Sequence, residues 1–347
     1  METSILSIFF FNNQGFEKDG LFDKPFRLNQ IKDFIFKKKI FDFQEMSNLS
    51  KDLRKTLTEK YFVLSLLPVK KNHSSDGTIK YLFELPDKNC IEAVMLKDKN
   101  DRFTFCISTQ VGCRMDCKYC KTGGMGFIRN LDYFEILSQI LFLSRETGNN
   151  NFNIVFMGMG EPLDNYDNLI KSIEILINKN YFAVSSSRIT ISTCGLSDKI
   201  TDFFKIFPKV NLAVSLNSLI QNKREKLMPI SKKFNVDNLI KTLIANCRSI
   251  GNRITLEYVL IKDINDGIDE INALKKIDKK AFLINIIPIN GGNEIFKRPL
   301  ENEIKVFCDK IGELGFNVTR RYRRGEDIEA ACGQLYWNVL KKENNLK

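Results

Sequence analysis

The sequence contains a single histidine and a single tryptophan among 347 residues. Histidine is the usual general base of hydrolytic triads and a common ligand of zinc. The one histidine, His73, lies in the polar stretch Lys70–Gly77, which reads as a linker or loop tip. We therefore expect neither a Ser-His-Asp nor a Cys-His hydrolase, and any proton transfer falls to carboxylates, thiols or bound water.

Long apolar runs are also missing. The longest, Ile5–Phe11 and Tyr61–Val69, are far shorter than the roughly 20 residues that cross a membrane. No basic segment followed by an apolar core marks a secretory signal. Nine cysteines without such a signal indicate a reducing compartment, in which thiols serve metal binding or chemistry. We expect a cytoplasmic protein with no membrane partner.

Acidic residues are in deficit, because 42 Asp and Glu face 53 Lys and Arg, a formal net charge of +11. Such an excess favours polyanionic partners, since each phosphate that is neutralised releases counterions. A lysine-rich composition without functional meaning is the competing explanation. Two basic segments, residues 27–60 and 320–324, concentrate the excess, and arginine-rich runs suit phosphate and base contacts.

Three of the nine cysteines lie close together. Cys113, Cys117 and Cys120 have the spacing C-x3-C-x2-C. Three thiolates so arranged can hold three corners of a [4Fe–4S] cube, and the fourth iron keeps an open site for a substrate or cofactor. A structural zinc site is the alternative, but zinc takes four closed ligands, usually from paired C-x2-C or histidine motifs. The sequence therefore favours the iron–sulfur cluster.

This loop resembles that of the radical S-adenosylmethionine (SAM) superfamily. In that superfamily the open iron binds the amino and carboxylate groups of SAM, and an electron from the cluster splits SAM to a 5′-deoxyadenosyl radical. The protein positions and shields the cofactors, which carry the difficult chemistry.

From about Phe103 the sequence alternates strand and helix. The amphipathic stretch Asp132–Glu146 begins with an Asp-x-x-Glu capping pattern, and repeating βα units predict a parallel sheet, open or closed into a full or partial barrel. The candidate strands are Phe103–Ser108, Asn153–Met157, Arg188–Thr193, Val210–Leu216, Ile254–Ile261, Phe282–Pro288 and Phe316–Tyr322.

The preceding residues differ in pattern. Residues 26–67 have helical periodicity, with Ser47 as a candidate helix cap, and Ile79–Leu85 and Ile91–Leu96 predict a β-hairpin. We divide the chain into an N-terminal helical domain with its linker (1–77), a hairpin extension of the core (78–102) and the core itself (103–347).

Unusual residues follow the candidate strands at their ends, where the working residues of parallel barrels and sheets gather. Each is weak evidence by itself, because glycines serve turns and Ser or Asn serve as caps. Their shared placement predicts one functional face. The segments are Cys113–Cys120, Gly158–Pro162, Ser192–Thr193, Ser215–Asn217, Pro288–Gly292 and Gly325–Cys332.

Three segments together resemble one family: the cysteine loop, Met157–Leu163 and Arg324–Leu335, which contains Ala-Ala-Cys-Gly-Gln-Leu. They are similar to the radical SAM methyltransferases that modify adenosine in 23S ribosomal RNA, the RlmN/Cfr family. The resemblance runs from about Phe26 to Tyr336. It implies an α/β fold, a partial (β/α)6 radical SAM barrel with a small N-terminal helical RNA-binding domain.

The resemblance also implies a mechanism that uses two SAM molecules. The first methylates the thiolate that matches Cys332, and the radical made from the second removes a hydrogen from this S-methyl group. The methylene radical adds to the adenine and links protein to RNA. Cys106 matches the cysteine that resolves the link by forming a disulfide with Cys332, and Glu92 matches the proton acceptor.

The residues that bind SAM in the family carry over to one set of positions, in which Glu161 would accept from the SAM ammonium. Two departures stand out: Asn217 replaces the usual histidine, and Gly291-Gly292 replaces a proline after Asn290. The matching positions are Gly160, Glu161, Ser192, Ser215, Leu216, Asn217 and Asn290.

One branch of the family methylates C2 of the adenine and another methylates C8; Pro162, where the C8 branch has alanine, favours C2. The resemblance implies 23S rRNA and the transfer RNA adenosine 3′ of the anticodon as substrates, an electron donor such as flavodoxin or ferredoxin, and a monomer. Two alternatives remain: a radical SAM enzyme acting on a small molecule or protein, and a non-catalytic Fe–S RNA-binding protein in which Cys332 is dispensable.

Overall fold

The N-terminal segment is helical in the computed structural model, which describes residues 3–4, 25–148, 151–290 and 295–335. Helix α1 (Pro25–Lys32) continues into a π-helical turn, and helix α2 (Lys51–Lys60) follows. Ser50, not Ser47, caps α2, since its Oγ accepts from the Leu53 amide at 3.3 Å. After α2 the chain forms a short strand that pairs in parallel with the first residues. These strands are β1 (Thr3–Ser4) and β2 (Tyr61–Phe62).

A ten-stranded sheet forms the centre of the molecule, and three antiparallel strands make one end of it. Strands β4 (Ile79–Glu84) and β5 (Cys90–Lys97) are the predicted hairpin. Strand β3 (Leu67–His73) pairs outside them, so the prediction of a loop at residues 70–73 is wrong. The reason is that β3 is the edge strand, exposed at most positions, and lysine on an edge prevents pairing with other chains.

Seven parallel strands make up the rest of the sheet, which confirms the predicted α/β class. Each lies within one or two residues of its predicted bounds. The ten strands lie in the sheet in the same order as in the chain, and the edge strand β3 and the last strand do not pair with each other. The parallel strands are β6 (Phe103–Cys106), β9 (Phe152–Phe156), β10 (Ile189–Thr193), β11 (Asn211–Ser215), β12 (Ile254–Leu260), β13 (Phe282–Pro288) and β14 (Asn317–Arg320).

A separate two-stranded ribbon, β7 (Gln110–Gly112) with β8 (Phe127–Asn130), flanks the cysteine loop. The predicted cap is confirmed, since Asp132 and Glu135 form a reciprocal capping box. Helices connect the parallel strands: α3 (Lys121–Gly124), α4 (Tyr133–Thr147), α5 (Tyr166–Ile177), α6 (Ser197–Ile206), α7 (Gln221–Leu227), α8 (Val236–Ile250), α9 (Ile268–Leu274) and α10 (Glu301–Glu313).

Strand β11, near the middle of the parallel sheet, is buried on both faces, as in parallel sheets covered by helices. In β11 the consecutive residues Leu212, Ala213 and Val214 are all buried. The rings of Phe105 and Phe152 stack with their centroids 4.5 Å apart and join β6 to β9. Among the residues described, no helix is long and apolar enough to cross a membrane.

Candidate active site

A cavity opens at the carboxyl ends of the parallel strands and brings most of the predicted site residues together. The space among its lining residues is about 1020 Å³, counted to its open mouth. Its wall includes ten residues from the predicted segments: Cys113, Cys117, Cys120, Gly158, Gly160, Glu161, Ser192, Ser215, Asn290 and Cys332.

The cysteine loop leaves β7 through a glycine that no other residue could replace. Gly112 has φ +77°, and a Cβ there would collide with the Gly126 carbonyl just before β8. The Cys113 amide donates to that same carbonyl at 2.8 Å, and the Cys120 amide donates to the Cys117 carbonyl at 3.0 Å. The backbone thus fixes where the three thiols leave the loop.

The three thiols line the cavity, and two of them lie where burial disfavours a free thiolate. Burial raises the pKa of Cys113 to about 12. Burial, and next to it the thiols of Cys120 and Cys113, raise the pKa of Cys117. Positive irons would offset both effects, because a bound metal deprotonates a coordinating thiol. The donor set therefore fits a cluster.

No three thiol, carboxylate or imidazole groups among the described residues converge on a point that could hold a single metal ion. In a [4Fe–4S] cube each of three thiolates binds a different iron.

Glu161 lies buried in the cavity wall after a tight turn. Its Oε1 accepts from the Leu163 amide at 3.1 Å, and its Oε2 accepts from the Cys194 amide at 2.8 Å. Burial raises the pKa of this carboxyl, and the two amides oppose the rise. Gly160 has φ +99°, and a Cβ there would lie 2.5 Å from Cβ of Gln110, so the turn packs directly on β7.

A second acid, which sequence reasoning missed, lines the same cavity. Glu257 of β12 accepts from Ser192 Oγ at 2.9 Å and lies 3.6 Å from Nη1 of Arg321. An acidic residue inside the apolar run Ile254–Leu260 was the available signal. Arg321 had been grouped with the basic C-terminal segment, and nothing in the sequence separated it from its neighbours.

Leu216 and Asn217 do not line the cavity, in contrast to the other predicted SAM-binding positions. The Leu216 amide donates to the Glu257 carbonyl at 2.8 Å. Asn217 has φ +58° and is buried; its Nδ2 donates to the Tyr119 hydroxyl at 2.6 Å and its Oδ1 accepts from the Val259 amide at 2.8 Å. Asn217 therefore supports Tyr119, which does line the cavity.

A buried arginine, also missed from the sequence, ties these strand ends together. Arg224 is fully buried and donates through Nη2 to the carbonyls of Cys194 and Ser215, at 2.6 and 3.1 Å, and through Nε to Leu216 at 3.0 Å. Burial lowers its pKa. The ends of β10 and β11 are thereby held at fixed positions around the cavity.

A second cavity adjoins the first and contains Cys106. It too is lined by Cys332, so the Cys332 residue forms part of the wall between the two spaces. Cys106 and Cys332 are both free thiols, and the disulfide that the resemblance implies is not formed in this state. The residues shared by both cavities are Met157, Ile287, Asn290, Cys332 and Leu335.

Arg321 is a cation that affects the pKa values of both Cys106 and Cys332. Burial raises the pKa of Cys332, and the Arg321 guanidinium lowers it. Burial raises the pKa of Cys106 to about 12, with Cys332 adding to the rise and Arg321 opposing it. Arg321 also approaches the Met157 sulfur at 3.7 Å. One cation thus lowers the pKa of both thiols against the effect of burial.

The Cys332 segment is anchored on two sides. Toward the cysteine loop, the Lys121 amide donates to the Gly333 carbonyl at 2.8 Å and Thr122 Oγ1 donates to the Leu335 carbonyl at 2.6 Å. Toward the β3–β4 turn, the Gly325 amide donates to Asp76 at 2.9 Å. The polar stretch that predicted a linker is therefore a clamp on the segment that carries Cys332.

Glu92 lies on β5 and lines neither cavity. Its buried carboxylate pairs with Lys80 at 3.0 Å, and Lys80 also donates to the Glu329 carbonyl at 3.2 Å. Glu92 shares a face of the sheet with Val94, which pairs directly with Cys106. Gly291 and Gly292 lie outside the described residues.

The chain is similar to known radical SAM proteins and RNA methyltransferases. Residues 107–275 match the radical SAM superfamily, and residues 14–63 match the ribosomal RNA large subunit methyltransferase N-terminal domain. A probable dual-specificity RNA methyltransferase RlmN of Thermotoga sp. (strain RQ2) is 45% identical over 91% of this chain and 92% of its own. The chain belongs to the RlmN family of radical SAM RNA methyltransferases.

Two further matches also cover most of the chain. The RlmN-named relative of Petrotoga mobilis is 39% identical over 99% of this chain and 97% of its own. A crystal structure of a radical SAM methyltransferase from Sphaerobacter thermophilus superposes with a TM-score of 0.84, at 35% identity, over 89% of this chain and 92% of that one. The predicted family is confirmed, and with it the cofactors of radical SAM enzymes, a [4Fe–4S] cluster and SAM.

Proposed function

We propose that this RlmN-family enzyme methylates C2 of an adenosine in 23S rRNA, and the transfer RNA adenosine 3′ of the anticodon, through an S-methyl group on Cys332. The observation that carries this proposal is the position of Cys332 between two cavities, one lined by the three cluster cysteines and the other by Cys106. Cys332 needs such a position if it receives a methyl group from SAM in the first cavity and transfers the carbon to an adenine in the second.

Cys113, Cys117 and Cys120 would hold the cluster, and Gly160, Glu161, Ser192, Ser215 and Asn290 would contact SAM. When bound, the cluster and SAM supply a methyl group and, in a second step, a 5′-deoxyadenosyl radical. The Glu161 carboxylate has acceptor capacity beyond its two backbone donors, so it can also accept from an ammonium group. A cation there would lower the carboxyl pKa that burial has raised.

Cys332 accepts the methyl group as a thiolate, the nucleophilic form of cysteine. Arg321 favours this form against the effect of burial on the Cys332 pKa. Once methylated, the sulfur carries no charge, and the carbon lies in the wall that the second cavity shares.

Cys106 then frees the product. By then the carbon would join the Cys332 sulfur to C2 of the adenine, the radical adduct having given up one electron to the oxidised cluster and its C2 proton to a base. The Cys106 thiolate attacks the Cys332 sulfur, the carbon–sulfur bond breaks, and the carbon keeps the bonding electrons and takes a proton to become the methyl group. A Cys106–Cys332 disulfide remains, and an external dithiol must reduce it before the next turnover. Glu92 is the proposed acceptor of the adenine proton, and its carboxylate is held by the ion pair with Lys80.

The substrate side of the proposal is supported by charge. The net charge of +11 and the basic helices α1 and α2 suit a polyanion, recognised by shape and phosphate contacts. Pro162, at the first position of a 3-10 turn beside Glu161, is the residue that favours C2 over C8. We propose an electron donor such as flavodoxin or ferredoxin and a monomer; nine free thiols fit the reducing cytoplasm.

The test uses cluster-loaded protein with SAM, first without and then with 23S rRNA. Peptide mass spectrometry should find a methyl-sized gain on the Cys332 peptide before RNA is added, and digestion of the RNA should give 2-methyladenosine. Finding 8-methyladenosine instead would assign the enzyme to the C8 branch. An unmodified Cys332 in protein that cleaves SAM would contradict the mechanism.

The structure also predicts the effect of Arg321→Gln on the loading of Cys332. Without the guanidinium the pKa of Cys332 rises further, so less thiolate exists near neutral pH and the rising limb of the rate moves to higher pH. A pKa that is higher by about one lowers the thiolate fraction, and with it the rate, about tenfold. The rate of single-turnover methylation of Cys332, measured without RNA over a series of pH values, tests this prediction.

Arg320→Gln is the matched control for Arg321→Gln, because Arg320 pairs with Glu301 and lies outside both cavities. Its pH profile should coincide with that of wild type. An Arg321→Gln profile that also coincides with wild type would contradict the role of this guanidinium.

A further inference from the structure

Tyr322 is the most exposed of the large apolar and aromatic side chains in the described part of the chain, at 77% exposure. It follows shortly after β14 and stands in the wall of the second cavity, the space that contains Cys106 and Cys332. A large aromatic ring left in water at the edge of a reaction cavity marks a surface for binding a partner.

The ring is supported on one face. The guanidinium of Arg320 lies over it, 5.6 Å from its centroid, within the range of a cation–π contact. Arg320 is in turn held by Glu301, which also pairs with Arg298 at 3.0 Å. The exposed part of the ring is therefore its opposite face and its edge, and both are available to a planar ligand.

The surroundings of the ring are cationic. Arg323 and Arg324 line the same cavity next to Tyr322, and both are half-buried. Arg323 contacts Glu326, and Arg324 donates to the Lys97 carbonyl. An aromatic platform bordered by arginines is the arrangement that holds single-stranded nucleic acid, where bases stack on rings and phosphates meet cations. The arginines beside the ring favour a polyanionic partner.

We propose that Tyr322 is a stacking platform for a base that neighbours the target adenosine in the RNA. This inference rests on the proposed function, since it takes the substrate to be RNA. An enzyme that works on a ring carbon of a base must draw that base out of its stack. The neighbour then loses a stacking partner, and Tyr322 replaces it at the mouth of the cavity that the target enters.

The experiment measures binding of an RNA hairpin whose loop carries 2-aminopurine beside the target adenosine, using cluster-loaded protein. Wild type is expected to quench the fluorophore by stacking. Tyr322→Ala is expected to abolish the quenching and weaken binding about tenfold, within the range found for removal of one base–aromatic stack. Tyr322→Phe should retain both properties, because the ring and not the hydroxyl makes the platform.

Ile206→Ala is the matched control, since Ile206 is another exposed apolar residue, at the end of α6 and outside both cavities. It should leave quenching and affinity unchanged. Cluster content and the thermal midpoint of Tyr322→Ala, equal to those of wild type, would establish that the variant is folded.

The outcomes separate this inference from the proposed function. If Tyr322→Ala quenches and binds as wild type does, while wild type still yields 2-methyladenosine, the platform is wrong and the function stands. If wild type binds the hairpin but methylates no adenosine, the proposed function fails independently of Tyr322. Suppose that Tyr322→Ala binds RNA normally and that flavodoxin reduces it more slowly than it reduces wild type, while dithionite reduces both at the same rate. The surface then serves a protein partner, and the RNA assignment is overturned.

Discussion

Cys106→Ala should turn the enzyme into one that reacts once and stays bonded to its RNA. Loading of Cys332 involves the first cavity, which Cys106 does not line, so methylation of Cys332 should proceed. Addition to the adenine should proceed as well. The carbon–sulfur bond then has no internal thiolate to break it, because Cys106 is the other thiol that lines the second cavity.

The expected result is a protein–RNA adduct that survives denaturing electrophoresis and approaches one equivalent per enzyme. Free 2-methyladenosine should fall below one equivalent. Mass spectrometry should place the nucleotide on the Cys332 peptide. Cys308→Ala is the control, because Cys308 lies on α10 and lines neither cavity, and this variant should turn over normally. Multiple turnovers by Cys106→Ala would require another resolving group.

The parallel sheet was predictable because its central strands, such as β11 and β12, are largely buried and therefore rich in apolar residues. The same reasoning failed for β3, whose residues 70–73 are exposed on the sheet edge and polar. A strand of that kind is held by its partner's backbone and by the clamp on Gly325 and Asp327, none of which is a property of its own sequence.

The site was predictable to the level of its motifs and no further. Placing Cys106 and Cys332 in one cavity followed from the family resemblance and from the rule that strand ends gather. The pairing of Glu257 with Arg321 did not, because the two residues lie far apart in sequence and neither stands in a motif. The bonds of the Asn217 side chain to Tyr119 and Val259 did not follow either, because nothing in the sequence indicates its left-handed backbone; a contact of Asn217 with SAM stays a prediction.

Hydrogen bonds hold the Cys332 segment to the cysteine loop, and no motif in the sequence indicated them. Lys121 and Thr122, directly after Cys120, bond to Gly333 and Leu335. The proposed mechanism would require such a link, since a carbon on Cys332 would have to be within reach of a radical made at the cluster, and small displacements of reacting atoms are costly in rate.

Cys332→Ala should therefore remove methylation altogether while leaving the radical machinery in place. Without the thiol no carbon is loaded, so the loss should be on the order of 10⁴-fold or more, as for other enzymes that lose their nucleophile. The three cluster cysteines are untouched, and iron content and reductive cleavage of SAM should persist. This combination separates a missing carbon acceptor from a missing cluster.

Cys332→Ser provides the matched variant, because it keeps the size of the side chain and the anchors on Gly333 and Leu335. A hydroxyl ionises far less readily than a thiol, so this variant should also fail to acquire a methyl group and should form no adduct with RNA. The measurement is 2-methyladenosine per enzyme, with SAM cleavage measured in the same sample. Formation of 2-methyladenosine by Cys332→Ala would show that the methyl group reaches the adenine without passing through this sulfur.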